Sequence, residues 1–231
     1  MRLPVLKQLN LSNRECAFLL VDLQEEQRSD RDYHAHGFVK VLANASLLLD
    51  AARSNAFHVA HTAYVRDFAV ERPRPFETVL PNGSPAFSDA AGGLTAICAE
   101  VAPTEKEQVF VKNDSSAFRG TDLDSWLQEI EVEWLIICGV WTEACIAATV
   151  RDAIVAGYRV LLVKDACGSG TKAMHETAVL NLANRLYGGG ICDTARAATM
   201  LNGRTADVWK MGDPVPIRFD FDTITDTYDQ L

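Results

Sequence analysis

Apolar residues in this chain gather into short runs separated by amphipathic stretches, and the alternation predicts an order of strands and helices. Runs rich in branched side chains read as buried strands at 17–22 (AFLLVD), 57–63 (FHVAHTA), 108–112 (QVFVK), 134–139 (WLIICG) and 159–165 (RVLLVKD), with a shorter one at 190–194 (GICDT). Between them, apolar positions recur at helical spacing and predict helices over 38–55, 121–130, 142–158 and 171–189. Thr121 and Thr142 stand where N-caps belong, and glycines close the last two helices. Strands apolar on both faces that alternate with helices predict an α/β fold around a parallel sheet covered on both sides.

Two stretches break the alternation. Residues 65–93 form the longest irregular segment and hold half of the chain's eight prolines. Loops of this length in a compact domain usually serve as lids or binding loops. The tail from 211 to 231 has no helical period, and is expected either to reach a neighbouring subunit or to lie along its own domain.

Composition narrows the class. The 231 residues, 48% of them hydrophobic, suit one α/β domain over 1–231. A formal charge of -9, from 22 basic against 31 acidic residues, argues against a nucleic-acid surface and gives no polybasic membrane signal. No apolar run approaches the roughly 18 residues of a membrane span. Charges interrupt residues 1–24 before a signal-peptide core can form. Six cysteines without tight pairing suit a reducing compartment, so a cytoplasmic protein is expected. The first strand is not followed by G-x-G-x-x-G, which argues against a dinucleotide enzyme. Residues 167–173 (CGSGTKA) lack phosphate-loop spacing and read as a turn with Thr171 capping the next helix.

In open parallel sheets, ligands bind beyond the carboxyl ends of the strands. The first strand there delivers Asp22, the third Lys112, and the fourth runs through Gly139 into a helix whose first turn carries Cys145. A free thiol titrates near pH 8.5, and a helix N-terminus or a nearby cation lowers that value. Asp22 can take the thiol proton and return it to a leaving amine, while the backbone N–H groups of Trp141 and Cys145 can receive a developing oxyanion. Each residue also has a plainer reading: a buried cysteine, a turn-forming aspartate, a solvated lysine. Their joint placement at separate strand ends favours chemistry.

The stretches FLLVDLQ, KNDSSAFRGTDLDSWL and ICGVWTEACIAATVRDAIVAGYRVLLVKDACGS resemble the isochorismatase-like cysteine hydrolases, in order and spacing, from about residue 16 to about 200. The resemblance implies a three-layer α/β/α, Rossmann-like fold, frequent homodimers or homotetramers, and a triad mapping onto Asp22, Lys112 and Cys145. It also implies a non-proline cis peptide at Val140–Trp141 that turns the Trp141 N–H toward the oxyanion. Isochorismatases lack the cysteine, so Cys145 favours the amidohydrolase branch. The nicotinamidase-type metal set is not matched. An odd separation puts His58 and His61 on opposite strand faces, and His34 and His36 read as solvent-facing loop residues. No metal and no cofactor are expected.

These readings combine into an enzyme that cleaves a C–N bond of a small amide, N-carbamoyl or ureido compound through a cysteine thioester, with a small molecule as its partner. Arg72 and Arg74 in the long loop are candidates to receive a substrate carboxylate. Gln24 is a candidate to orient the site and Trp141 to wall it. The rivals are an ether hydrolase of the isochorismatase type and a non-catalytic binding member of the same family.

Overall fold

The computed structural model of the protein describes residues 6–30, 33–213 and 215–231. Residues 1–5, which open the stretch read for a signal peptide, lie outside the described residues. The core strands form where the apolar runs predict them. They are β2 (Cys16–Val21), β3 (His58–Tyr64), β4 (Gln108–Lys112), β5 (Trp134–Val140), β6 (Arg159–Gly168) and β7 (Gly190–Cys192). Two further strands, β1 (Leu6–Leu9) and β8 (Ala206–Trp209), extend one edge. The resulting eight-stranded sheet has the order β1-β8-β7-β6-β5-β2-β3-β4. Pairing is parallel from β7 to β4 and antiparallel at β1–β8 and β8–β7.

Beside β2 the winding direction reverses: β3 and β4 build outward on one side, β5, β6 and β7 on the other. The crevice beyond β2 and β5 is therefore the topological switch at which such sheets bind ligands. Gly139 sits at this point opposite Val21. Its φ is +125°, and a Cβ there would lie 2.0 Å from the Val21 carbonyl oxygen, so only glycine lets β5 close against β2.

Helices α2 (Phe38–Ser54) and α6 (Thr194–Leu201) pack together on one face, and α4 (Ala147–Val155) with α5 (Lys172–Ala183) on the other. Leu19, Ile136, Ile137, Leu161 and Leu162 are almost wholly buried between these layers. The shorter helices are α1 (Glu26–Ser29), α3 (Leu123–Glu129) and α7 (Ile224–Asp229).

Several expectations are corrected. β4 is an edge strand covered on one face only: Phe110 packs against Trp126, while Val109 and Val111 are exposed and reflect β-propensity without burial. The tail does contain a helix, α7, which lies along its own chain against α5. Buried Thr227 and aromatic Tyr228 suffice for one packed face in so short an element. The helix expected over 171–189 ends at Ala183, with Thr171 accepting from the Met174 N–H as its N-cap. The helix expected from Thr142 begins as a π-helical turn over Thr142–Ile146 before α4 takes over. No helix among the described residues is long and apolar enough to cross a membrane.

Candidate active site

Asp22 follows the last residue of β2 in a left-handed conformation (φ 53°) that turns its side chain across the strand ends. Its Oδ1 accepts a hydrogen bond from the Thr62 hydroxyl at 2.6 Å, and its Oδ2 lies 2.7 Å from Lys112 Nζ at the end of β4. Lys112 directs protons to the carbonyls of Asp114 and Ser115, each at 3.1 Å. Oδ2 therefore pairs with the ammonium as a charge, without an aligned hydrogen bond of its own. Both residues are nearly inaccessible, at 3% and 2%.

Cys145 stands in the π-helical turn after β5, within side-chain hydrogen-bonding reach of both Asp22 and Lys112. The Ala144 and Ile146 N–H groups that flank it both go to the Trp141 carbonyl, and the Val140–Trp141 peptide bond is cis. The structure thus brings Asp22, Lys112 and Cys145 together. Burial works against the Lys112 charge, but Asp22 and Cys145 outweigh it and hold the ammonium above its ordinary range.

The thiol behaves otherwise than the sequence suggests. Burial and the Asp22 charge push Cys145 well above the usual thiol range, and Lys112 only partly opposes them. A helix start and a cation lower a thiol's pKa where water still reaches it; at the floor of a closed site desolvation dominates. The resting thiol is protonated. Cys145 is nonetheless half-buried, while Cys16, Cys98, Cys138, Cys167 and Cys192 are all buried and free.

Asp22 and Cys145 open into a cavity of about 350 Å³, at the lower end of the range for small-molecule sites. Its walls come largely from residues that the sequence did not single out. Trp141, Tyr33, Phe87 and Tyr64 form a row of rings with successive centroid separations of 5.2, 4.6 and 5.8 Å. Trp141 does wall the cavity, its indole N–H donating to Gln27 Oε1 at 2.6 Å. Glu26, Gln27, Ser88 and Glu143 supply polar lining. Glu26 is 5% exposed, and its carboxylate accepts from the Ser88 N–H (2.9 Å), the Ser88 hydroxyl (2.6 Å) and the Gln27 amide (3.2 Å). Burial, then the charge of Asp22, raise its pKa against those hydrogen bonds. The one sequence sign of Glu26 was an acid closely following the strand-end aspartate.

Other candidates go elsewhere. Gln24 is fully buried and its amide is spent on backbone. It donates to the Tyr64 and Thr95 carbonyls at 3.0 and 2.8 Å and accepts from the Tyr64 N–H at 2.8 Å. It fastens the rim and does not face the cavity. Arg72 and Arg74 are exposed and absent from the lining; Arg74 donates to the Asn113 carbonyl and lies 3.8 Å from the Asp114 carboxylate. The arginine that organises the long loop is Arg66, 1% exposed and bound by Glu71 and Glu77. His61 is buried against Glu107 at 3.1 Å, and His58 packs edge-on to Trp126. His34 and His36 are exposed. Glu25, Cys98 and Glu100 lie near one another away from the cavity, where the Arg28 guanidinium bridges both carboxylates.

Comparison with known proteins agrees with this architecture. Residues 16–196 match the isochorismatase domain model. The isochorismatase family protein YddQ of Bacillus subtilis is 31% identical over 71% of this chain and 83% of its own length. Maleamate amidohydrolase of Pseudomonas putida is 29% identical over 76% of this chain and 82% of its own. A cysteine hydrolase from Pseudomonas syringae superposes with a TM-score of 0.74, at 20% identity, over 87% of this chain and 98% of that one, a likeness of fold. With its sheet order, its switch-point cavity and a domain match that spans all the parallel strands, the chain belongs to the isochorismatase family, a hydrolase family with amidohydrolase members.

Proposed function

We propose that this protein hydrolyses a C–N bond of a small amide, N-carbamoyl or ureido compound through a thioester on Cys145. The observation that carries the reading is the meeting of the Cys145 thiol and the Asp22 carboxylate in the wall of one cavity, with the Lys112 ammonium 2.7 Å from that carboxylate. Because the resting thiol is protonated, attack and deprotonation are coupled: Asp22 takes the S–H proton as Sγ bonds to the substrate carbonyl carbon. The Trp141 and Cys145 backbone N–H groups receive the oxyanion. Collapse breaks the C–N bond, and Asp22 returns the proton to the departing nitrogen. A water molecule, deprotonated by Asp22, then attacks the thioester carbonyl. The acid is released and Cys145 regains its proton. Lys112 keeps Asp22 ionised at rest and balances charge at the oxyanion.

The test is release of ammonia or amine across a panel of small amides, carbamoyl amines and ureides, with intact-protein mass spectrometry for the acyl-enzyme. Cys145→Ala should lower kcat by about 10³-fold or more and abolish the acyl adduct. Equal turnover by parent and variant would end the covalent proposal.

A further inference from the structure

The charges around the cavity do not balance, and the imbalance points to the substrate. Among the described residues no lysine or arginine lines the cavity; Lys112 is paired with Asp22 at 2.7 Å and Arg66 with Glu71 and Glu77, and Arg74 lies 3.8 Å from Asp114. Glu26 and Glu143 line the same cavity, and among the described residues neither has a lysine, arginine or histidine as an ion-pair partner. Glu143 is held by the Ser169 hydroxyl at 2.5 Å, and every hydrogen bond given to Glu26 comes from a donor. With the thiol protonated, the Asp22–Lys112–Cys145 set is neutral as a whole, and among the described residues the Glu26 and Glu143 carboxylates have no cation paired with them.

The walls agree with the charges. Trp141, Tyr33, Phe87 and Tyr64 present a row of π-systems, whose negative faces attract cations. One end of this row already holds a cation: Lys112 Nζ sits 4.8 Å from the Tyr64 ring centre. A neutral flat ring would suit the aromatics but leave Glu26 buried and unmatched. An anionic group would meet Glu26 and Glu143 with no lysine or arginine among the described lining residues to receive it.

Building on the amide reading above, we infer that the substrate is a small amide or ureide with a positively charged group near the scissile bond, held between the Glu26 and Glu143 carboxylates and the aromatic row. Glu26 is then a specificity residue, and Ser88 and Gln27 hold it in place. A bound cation also offsets the burial that raises the Glu26 carboxyl, so its arrival favours the ionised form.

The experiment compares amides of similar size: γ-aminobutyramide as the cation, pentanamide as the neutral isostere, succinamate as the anion and benzamide as a neutral ring. The cationic amide should exceed the neutral one in kcat/KM by about tenfold, with the anion lowest. In Glu26→Gln and Glu143→Gln the ratio of cationic to neutral turnover should fall toward one. A neutral or anionic amide turned over fastest, or a ratio unmoved in both variants, overturns the inference while leaving amide hydrolysis standing. A second measurement needs no turnover. Cationic and anionic methanethiosulfonates are compared for their rates at Cys145, each divided by its rate with a free thiol, and Cys145→Ser gives the background. The cationic reagent should win by about tenfold, and equal or reversed rates sink the inference. Should the reagents show the expected preference while no amide is hydrolysed in a Cys145-dependent way, the catalytic reading fails and the cation-selective cavity stands.

Discussion

At Asp22 a left-handed backbone, a buried carboxylate and a buried ammonium depend on one another. Removing either charge strands the other in a site water barely reaches, at a cost of roughly 3–5 kcal/mol. Asp22→Asn and Lys112→Ala should therefore lower both thermal midpoint and acylation rate. Single-turnover measurement well below the midpoint separates the two effects, and an unchanged rate in either variant would remove that residue from the chemistry. Gly139 makes a purer structural case. Its Cβ-free approach to Val21 has no alternative packing, so Gly139→Ala should cost more than about 3 kcal/mol by denaturant titration. A variant within 1 kcal/mol of the parent, on the order of an ordinary surface change, would mean the two strand ends can separate freely.

Among the elements, α5 and α7 are joined by a polar chain that reaches the nucleophile's turn. The Thr142 hydroxyl donates to the Gly168 carbonyl at 2.9 Å, which leaves its oxygen to accept from His175 Nδ1 at 2.8 Å. His175 Nε2 then accepts from the Tyr228 hydroxyl at 3.1 Å. Both ring nitrogens are thus used by a neutral imidazole, and burial lowers the His175 pKa to about 4. The sign follows: below an unfolded value near 6.5 the unfolded chain takes up a proton that the folded chain refuses until about pH 4. Stability should fall across that window by roughly 2 kcal/mol, reduced from the full shift because the residue is only partly buried. His175→Gln should flatten the dependence in denaturant titrations at pH 7 and 5; an identical slope would place the effect elsewhere.

This connection also marks where the sequence stops being readable. Core strands and long helices announce themselves because burial on both faces imposes an unbroken apolar run on the strands, as in Phe18–Val21 or Leu161–Val163, and a helical spacing on the helices. Asp22, Lys112 and Cys145 were legible because strand ends have a fixed relation to the sheet. The α7 helix, the π-helical turn, the edge strand β1 and its neighbour β8 have too few buried positions to impose a pattern. The cavity wall was illegible for a related reason: Glu26 comes from α1, Tyr33 from the loop after it and Phe87 and Ser88 from the long loop, and no spacing predicts that they converge.

On the scale of the whole molecule, the formal charge of -9 extends the local surplus at the cavity into a long-range field. For a cationic amide, kcat/KM should decline as potassium chloride is raised from low to physiological strength, while a neutral isostere should show little change. A flat response for both would mean that the field does not guide substrate inward. The rim of the cavity adds a further constraint. The 65–97 stretch is fastened to the body by Gln24 through Thr95 and Ile97, by Glu26 through Ser88, and by Asn113 through Glu71. A mouth stitched on both sides has no hinge on which to swing. Its passage should therefore be gated by fit alone, so that thickening the solvent with sucrose would retard catalysis no more than it retards free diffusion of the substrate.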